Sequence, residues 1–165
     1  MSVGTDGTYS FDRLVEWADE WLSDLGNAKP PTLIQHGISH PARSAPSSDF
    51  LAHDAMVATI QSASVIATHG GPATIFECWR CGKKPVVVPR LKALREAVDD
   101  HQTQFVTAES IQPRLWVAHT KADFLTLLSA IWRDPLMSRL SARTEPAFTG
   151  TVARFEAVIA DLLRK

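Results

Sequence analysis

Short, continuous apolar segments that alternate with amphipathic helical segments constrain the fold of this chain more than any other feature. Buried strands are predicted over residues 32–35, 64–68, 85–88 and 115–118. Each segment is apolar at consecutive positions, which is typical of a parallel sheet covered on both faces. Strands that alternate with helices build such a sheet. The predicted fold is therefore α/β, a doubly wound parallel sheet with helices on both faces.

Apolar residues at helical spacing predict the helices that connect these strands. They cover residues 11–25, 52–62, 72–81, 101–109 and 122–132, and a last helix is predicted over residues 152–163. Ser10 is placed to cap the first of them. Residues 37–48, rich in Gly, Pro, Ser and His, predict a long loop, and residues 90–100 predict a charged connection with a helical turn. The length of 165 residues fits one domain.

Composition excludes several classes of function. The net charge is −1 and no long basic run occurs, so no nucleic-acid partner is expected. The first ten residues lack a positive region and an apolar region, so no signal peptide is expected. The sequence contains no apolar run of about 18 residues, so no membrane span is predicted.

Cys78 and Cys81 fall within a predicted helix and are too few for the roughly four ligands of structural zinc. Two packed, reduced thiols are expected, with redox or metal chemistry as the alternative.

The clearest chemical signal is the sequence SVIATHGGPATIFE, where a predicted strand runs directly into a helix. His69, Gly70 and Gly71 join the two elements, and the glycines let the backbone turn sharply and approach a ligand. The free N–H groups and the positive dipole of the helix N-terminus bind phosphate without a metal. The motif is neither a Walker loop nor the dinucleotide fingerprint. Phosphate binding is predicted, and an ordinary tight turn is the equally weighted alternative.

Two polar residues of the same helix extend this candidate site. Thr74 lies in the first turn, where its hydroxyl can contact a ligand. Glu77 follows one turn later on the same side. A carboxylate at that position can accept hydrogen bonds from both hydroxyls of a ribose. The alternative is a solvated acid that the helix dipole favours near the N-terminus.

A second candidate site opens the helix predicted over residues 101–109. Asp100 is placed to cap this helix, and His101 and Gln102 begin it. Gln102 carries both donors and acceptors, which suits sugar hydroxyls. An ordinary capped helix start is the alternative.

Two loops add further candidates. Gly4 and Thr5 belong to the sequence VGTDGT, which suits contact with phosphate or sugar oxygens; a flexible N-terminus is the alternative. His36 and His40 flank the loop after the first predicted strand, and histidine is a residue type that often takes part in acid–base chemistry. Structural or solvated histidines are the alternative there.

In this order the motifs resemble the C-terminal domain of glycosyltransferase family 28, roughly over residues 3–108. VGT…FDRLV resembles the family's opening loop and first helix. HGGPATIFE and CGKKPVVVPR resemble its nucleotide-binding helix and next strand, and DDHQTQF resembles its donor-sugar loop. The resemblance implies a Rossmann-like fold, the C-terminal half of a GT-B enzyme. In size the chain is similar to stand-alone donor-binding subunits of two-chain exopolysaccharide, capsule or dolichol-type glycosyltransferases.

The resemblance also implies roles for residues at matching positions. Gly70, Gly71 and Thr74 would lie by the donor diphosphate, with His69 beside them. Glu77 would hold the ribose, His101 and Gln102 would contact the donor sugar, and Gly4 and Thr5 would border the cleft. Only residues 1–3 precede the loop that begins at Gly4 (the Gly4 loop), where the family has a full strand. A clipped strand, a misassigned start codon or a weaker sheet edge is expected there.

The implied reaction is inverting transfer from a UDP-sugar to a hydroxyl of an acceptor, in this family a lipid-linked saccharide. The helix that starts near Pro72 would stabilise the diphosphate leaving group in place of a metal, so no metal and no cofactor are expected. The general base of GT-B enzymes usually lies in the other domain. A membrane-anchored partner similar to the N-terminal half is therefore expected, with this chain cytoplasmic and peripheral at the inner face of the membrane. A non-catalytic accessory subunit is the alternative.

The last predicted helix carries an apolar stripe that is a candidate for partner docking. Packing on the chain's own sheet is the alternative. The stripe consists of Val152, Phe155, Val158, Ile159, Leu162 and Leu163.

Overall fold

A parallel sheet forms the centre of the computed structural model, which describes residues 1–140. Its strands are β1 (Ile34–Gln35), β2 (Ser47–Ser48), β3 (Ala67–His69), β4 (Val86–Val88) and β5 (Trp116–Val117). Ser2 bridges both Gln35 and Thr68, so the N-terminal segment (residues 1–3) lies between β1 and β3. The order across the sheet is β2, β1, N-terminal segment, β3, β4, β5, and all neighbours are parallel. In chain order this is 3-2-1-4-5-6, the order of dinucleotide-binding doubly wound folds.

Helices connect these strands along the described part of the chain. They are α1 (Asp12–Leu25), α2 (His53–Ser62), α3 (Pro72–Arg80), α4 (His101–Glu109) and α5 (Lys121–Arg133). Short 3₁₀ turns occur at Gly26–Ala28, Lys92–Leu94 and Pro135–Ser138. The turn at Lys92–Leu94 confirms the helical turn predicted in the charged connection.

Apolar side chains cover both faces of the sheet, as β4 illustrates. Val86 and Val88 belong to the main core together with Phe11 and with residues of α1 and α5, among them Leu14, Leu22, Phe124 and Leu128. Val87 points to the other face and packs with Ile75 of α3 and Val106 of α4. Side chains of successive strand residues alternate between faces, so continuous apolar runs need cover on both. The predicted doubly wound, Rossmann-like α/β class is confirmed.

The strands are shorter than predicted, and one was missed. β1 begins at Ile34, and the hydroxyl of Thr32, two residues earlier, donates to the carbonyl of Pro30 at 2.9 Å. β2 lies inside the segment predicted as a long loop. Its two serines pair with β1 at the sheet edge, with Ile34 opposite Ser47. A polar edge strand of two residues carries no apolar signal, so the sequence pattern did not reveal it.

The predicted cap of the first helix is wrong. Ser10 donates its hydroxyl to the Asp12 carboxylate at 2.8 Å, and Phe11 takes the N-cap position without a side-chain cap. The Phe11 ring is fully buried, and its N–H donates to Ser39 Oγ at 2.7 Å. These long-range contacts place the helix start one residue later than local propensity predicted.

The start of α4 at His101 is confirmed, but a different aspartate supplies its cap. The His101 N–H donates to Asp99 Oδ1 at 3.0 Å, while Asp100 makes no side-chain cap bond. This hydrogen bond lowers the pKa of Asp99. Asp100 therefore occupies the predicted N-cap position, but the prediction that its side chain caps the helix is wrong.

The N-terminal segment is a central strand and not a sheet edge. The Ser2 N–H donates to the Ala67 carbonyl, and the Val3 N–H donates to the Gln35 carbonyl, each at 3.0 Å. The expectation of a weaker edge at residues 1–3 is corrected, because neighbours on both sides hold the segment.

Both cysteines are free thiols, as predicted. Cys78 is fully buried with Ile60 and Ile66, and burial raises its pKa to about 12. Burial also raises the pKa of Cys81. A thiol that stays protonated is a poor nucleophile and a poor metal ligand, so these residues contribute packing.

Two sequence predictions lie outside the described residues. These are the helix over residues 152–163 and the apolar stripe on it. Within residues 1–140, no helix has both the length and the apolar character needed to cross a membrane.

Candidate functional site

The sheet order creates a crevice between the N-terminal segment and β3. The chain leaves the N-terminal segment towards α1 on one face, and it leaves β3 towards α3 on the other. The two connections diverge, and ligands of doubly wound folds bind beyond the carboxyl ends of the strands at such a point. The Gly4 loop and the His69–Gly71 turn therefore flank one crevice.

A cavity of about 870 Å³ occupies this position. Of the predicted site residues, Gly4, Thr5, His69, Thr74 and Glu77 line it. These residues come from two separate segments of the sequence, residues 4–5 and residues 69–77, and the fold brings the segments together. Their role in binding stays a prediction, while their shared position is a property of the structure.

The His69 imidazole fills the narrow space between two glycines. A Cβ on Gly4 would lie 2.8 Å from His69 Nε2, and one on Gly71 would lie 2.2 Å from the same atom. Gly4 also has φ +89, which side chains rarely adopt. Both positions therefore require glycine for the ring to occupy its place.

The environment of His69 keeps its ring neutral at pH 7. Burial is the main cause and the positive charge of Arg90 the next, and together they lower the pKa to about 4. Thr68 Oγ1 lies 3.2 Å from His69 Nδ1, and the His69 N–H donates to the Ser2 carbonyl at 3.2 Å. The imidazole can thus donate or accept a hydrogen bond without adding a charge to the cleft.

The N-terminus of α3 opens at the same crevice. Gly71 occupies the N-cap position and offers no side-chain cap, and Pro72 follows it in the first turn. No side chain at the N-cap position accepts hydrogen bonds from the N–H groups of the first turn. These groups are therefore suited to bind an anionic ligand. Thr74 and Glu77 lie on the cavity side of this helix. Arg80 Nη1 donates to Glu77 Oε1 at 3.3 Å, which holds the carboxylate on that side.

The structure separates the two residues predicted to contact the donor sugar. Gln102 packs against the glycine turn, since a Cβ on Gly70 would lie 3.1 Å from Gln102 Cβ. Gln102 Oε1 accepts a hydrogen bond from the Arg90 N–H at 3.4 Å. His101 is directed elsewhere: its ring is 80% exposed and lies 2.7 Å from Asp99. Neither residue lines the 870 Å³ cavity, although Gln102 adjoins the turn that borders it.

A buried arginine that the sequence analysis did not single out organises the base of the site. Arg90 is 2% exposed and follows β4 directly. Its guanidinium donates to the carbonyls of Val3, Tyr9 and Glu96 at 2.8, 2.6 and 2.8 Å. The side chain thereby ties the N-terminal loop to the loop after β4. An arginine directly after an apolar strand was the available signal, and its partners are too distant in sequence to be predicted.

A second ion pair reinforces the same junction. Arg13 of α1 donates to both carboxylate oxygens of Glu96, each at 2.7 Å, and to the Pro89 carbonyl at 3.0 Å. The Glu96 carboxylate also accepts from the Leu91 N–H at 2.9 Å. The pair is largely buried and doubly hydrogen-bonded, which is the stronger type of ion pair. It holds the loop between β4 and α4 against α1.

Apolar residues before α2 form the far wall of the cavity and were also missed. Phe50 and Leu51 line it together with Met56. Phe50 is 61% exposed, which is unusual for a large aromatic ring. The available signal was a Phe-Leu pair directly before a predicted helix, just beyond the loop predicted over residues 37–48.

The two loop histidines do not enter the cavity. His36 is half-buried and donates its N–H to the Ser48 carbonyl at 2.9 Å. His40 is 79% exposed and lies 3.9 Å from Asp12. Their positions favour the structural alternative over a role in the cleft.

A second cavity of about 610 Å³ lies at the opposite, amino-terminal end of the strands. Trp21, Leu33, Val65 and Trp132 are among its mostly apolar lining residues. None of the predicted site residues borders it. Ligands of doubly wound folds bind at the carboxyl ends of the strands, which favours the 870 Å³ cavity as the functional one.

No metal-ligand cluster occurs in residues 1–140. Among these residues, no group of three or more His, Cys, Asp or Glu side chains is close enough together to hold a metal ion. The expectation that the site needs no metal stays a prediction, because the chemistry of the leaving group can be tested only by experiment.

Comparison with known protein families identifies a match. The family model described as "Glycosyltransferase family 28 C-terminal domain" matches residues 3–112. This range is more than half of the chain and contains the Gly4 loop, β1 to β4, and α1 to α4. Every predicted site residue falls within it. No curated protein matches the chain.

Proposed function

Because the chain belongs to the glycosyltransferase family 28 C-terminal domain family, we propose that it binds a UDP-sugar in the cleft between the N-terminal segment and β3. Membership makes it a glycosyltransferase domain, which uses a nucleotide-sugar donor and an acceptor. The proposed reaction is inverting transfer of the sugar to a lipid-linked acceptor. We further propose that a partner chain completes the active site.

One observation carries the proposal. The Gly4 loop and the N-terminus of α3 meet around a single cavity of about 870 Å³ at the switch point of the sheet. This volume is in the usual range for small-molecule sites. The α3 N-terminus presents backbone N–H groups without a side-chain cap, and both flanking elements carry glycines, which allow a phosphate to approach the main chain closely.

The α3 N-terminus is the proposed site of the diphosphate. Negative charge grows on the diphosphate as the glycosidic bond breaks, and preorganised N–H donors stabilise that charge. Each such donor typically contributes a few kcal/mol, on the order of 3. Gly70 and Gly71 would bring the main chain to the phosphates, and Thr74 would add its hydroxyl. The neutral His69 ring would add a donor without the cost of burying a charge.

Glu77 is the proposed ribose ligand. Its carboxylate lies on the cavity side of α3, and Arg80 occupies one of its oxygens. The side chain is 23% exposed, so the carboxylate is accessible to a ligand while Arg80 still holds it in position.

Gln102 and His101 are the proposed contacts to the donor sugar. Gln102 is the better placed of the two, because it adjoins Gly70.

A partner chain is proposed because the acceptor hydroxyl needs a general base. Among the described residues that line the cavity, His69 is a weak base, since burial lowers its pKa to about 4. The partner would supply the acceptor site, the base and attachment to the inner face of the membrane. In this arrangement the chain is cytoplasmic and peripheral. Full transferase activity of the purified chain alone would contradict this part of the proposal.

Calorimetric titration with UDP tests donor binding. The wild-type chain is expected to bind UDP, and Glu77→Gln is expected to weaken binding by about 10-fold or more, because a hydrogen bond to a charged group is lost. Glu16→Gln is the matched control, since Glu16 is an exposed glutamate of α1.

Two results would count against the proposal. Equal UDP affinity of the Glu77 variant and the wild type would remove Glu77 from the ribose site. Absence of UDP binding, both alone and in a complex with the partner, would favour the accessory-subunit alternative.

A further inference from the structure

A row of polar side chains crosses the centre of the sheet just below the cavity. The strand register places Ser48 beside Gln35, Gln35 beside Ser2, and Ser2 beside Thr68. The neighbouring position on β4 is Val87, which belongs to an apolar cluster. The interior of a doubly wound sheet is normally apolar, so polar residues at this level need a physical reason.

The Gln35 amide is the unusual member of this row. Gln35 is 1% exposed, and its Oε1 accepts a hydrogen bond from Ser2 Oγ at 3.0 Å. Ser2 Oγ in turn accepts from the Gly4 N–H at 3.2 Å, which fixes the hydroxyl. With Oε1 turned to Ser2, Nε2 points away from it, and it has no hydrogen-bond partner among the described residues. Gln35 also lines the 870 Å³ cavity.

An orphaned donor in this position points to a ligand. Most buried side-chain donors in folded proteins are satisfied, and exceptions occur where a ligand or water completes the bond. An apolar residue of the same size would fill the site without this penalty. The Gln35 amide is oriented by Ser2 and borders the cavity, which is the geometry of a preorganised binding group.

The surroundings of Gln35 indicate which part of the ligand it meets. Leu51, Met56 and the exposed ring of Phe50 line the same cavity. Apolar and aromatic walls with one neutral directed donor suit a nucleobase, which has flat apolar faces and polar edges. The charged diphosphate is better placed at the α3 N-terminus, where N–H groups and the helix dipole attract it.

We propose that Gln35 is a specificity-determining residue whose Nε2 donates a hydrogen bond to a carbonyl oxygen of the donor's nucleobase. Ser2 acts as the positioning residue that holds the amide in this orientation. The inference rests on the proposed function, since it assumes a nucleotide in this cleft. It adds a base-recognition residue that belongs to β1 and not to the glycine turn or α3.

Calorimetric titration of the full chain with UDP and with ADP tests the proposal. Uracil carries carbonyl oxygens and adenine carries none, while both nucleotides share the ribose and the diphosphate. Gln35→Met is expected to weaken UDP binding by about 10-fold and to leave ADP binding unchanged, so the preference for UDP falls. Gln61→Met is the matched control, because Gln61 is an exposed glutamine of α2.

A second variant keeps the test decisive if Gln35→Met fails to fold. Ser2→Ala leaves the amide in place but removes the hydroxyl that orients it, so a smaller loss of the same UDP preference is expected. An equal loss for UDP and ADP, or no loss for either, would overturn the assignment to the nucleobase. A wild-type chain that binds neither nucleotide, both alone and in a complex with the partner, would instead refute the proposed function itself, which separates the two failures.

Discussion

At the scale of single residues, the site depends on the space that two glycines leave for His69. Gly4 and Gly71 are far apart in the sequence, and at each position a Cβ would lie against the imidazole. The ring therefore closes the base of the crevice between the Gly4 loop and α3. The contact with His69 explains why the chain needs glycine at both Gly4 and Gly71.

Alanine at Gly71 tests this packing. The new Cβ would lie 2.2 Å from His69 Nε2, so the ring must move. Gly71→Ala is expected to lower the free energy of unfolding by about 1–3 kcal/mol, as overpacking does, and to weaken UDP binding. Gly7→Ala is the control, because a Cβ there meets nothing within 4 Å. Urea unfolding of both variants measures the difference, and equal stabilities would contradict the packing argument.

The lowered pKa of His69 gives a second prediction at this scale. The pKa is about 4 in the folded chain and 6.5 for an ordinary histidine. As the pH falls from about 6.5 to about 4, the unfolded chain takes up a proton that the folded chain excludes, so stability is lost. The loss is on the order of 2–3 kcal/mol. Above pH 6.5 His69 contributes no pH dependence.

Urea unfolding between pH 7.5 and pH 4 measures this effect. The His69→Asn variant lacks the titrating group, so its stability is expected to fall less than that of the wild type over the same interval. Parallel pH profiles for the two proteins would show that His69 is not held neutral.

Local sequence predicted some of these residues and missed others for a clear reason. The glycine turn, Thr74 and Glu77 lie on one continuous strand–turn–helix segment, so their spacing was sufficient. Arg90 and Gln35 depend on partners from other segments, such as the Val3 carbonyl and the Ser2 hydroxyl. No local pattern encodes such contacts.

At the scale of elements, the loops around the site are held by buried charges at their bases. Arg90 joins the Gly4 loop to the loop after β4, and the Arg13–Glu96 pair joins that second loop to α1. Loops that carry binding residues work best when a rigid scaffold positions them. Here the guanidinium of Arg90 and the carboxylate of Glu96 hold the loops in position.

Replacement of Arg90 by methionine tests this role. Hydrogen bonds to a charged group contribute about 1.5–3 kcal/mol each, and three carbonyls would lose their donor. We expect the free energy of unfolding to fall by about 3 kcal/mol or more. Arg133→Met is the control, because Arg133 is exposed at the end of α5. A loss below about 1 kcal/mol in the Arg90 variant would contradict the structural role of this side chain.

Element starts and ends show where sequence reasoning is reliable. The start of α4 at His101 was predicted correctly, because aspartates followed by a helical pattern are a strong local signal. The start of α1 was displaced by the burial of Phe11, and β2 has no apolar residue to signal it. Tertiary contacts determined both features, and a pattern in one segment cannot include them.

At the scale of the whole molecule, the N-terminal segment joins the two halves of the sheet. Residues 1–3 pair with β1 on one side and β3 on the other, and the Val3 side chain is fully buried in the main core. The alternation of strands and helices predicted the fold class. The central position of this segment was not predicted, because three residues are too few for a strand pattern.

Removal of two methyl groups from Val3 tests its central position. Val3→Ala leaves a cavity in the main core, so a loss of about 1–3 kcal/mol is expected in the free energy of unfolding. Val98→Ala is the matched control, because Val98 is 66% exposed and its truncation is expected to change stability by less than about 0.5 kcal/mol. Equal effects of the two substitutions in urea unfolding would contradict the burial of Val3.

The central claim is that a nucleotide binds at the carboxyl end of the sheet, between the Gly4 loop and α3. The most direct measurement is the change in ¹H–¹⁵N chemical shifts of the chain as UDP is added. The account predicts the largest changes at the backbone amides of Gly4, Gly70, Gly71 and Thr74. Changes confined to the cavity at the opposite end, around Leu33 and Val65, would place the ligand elsewhere and contradict it.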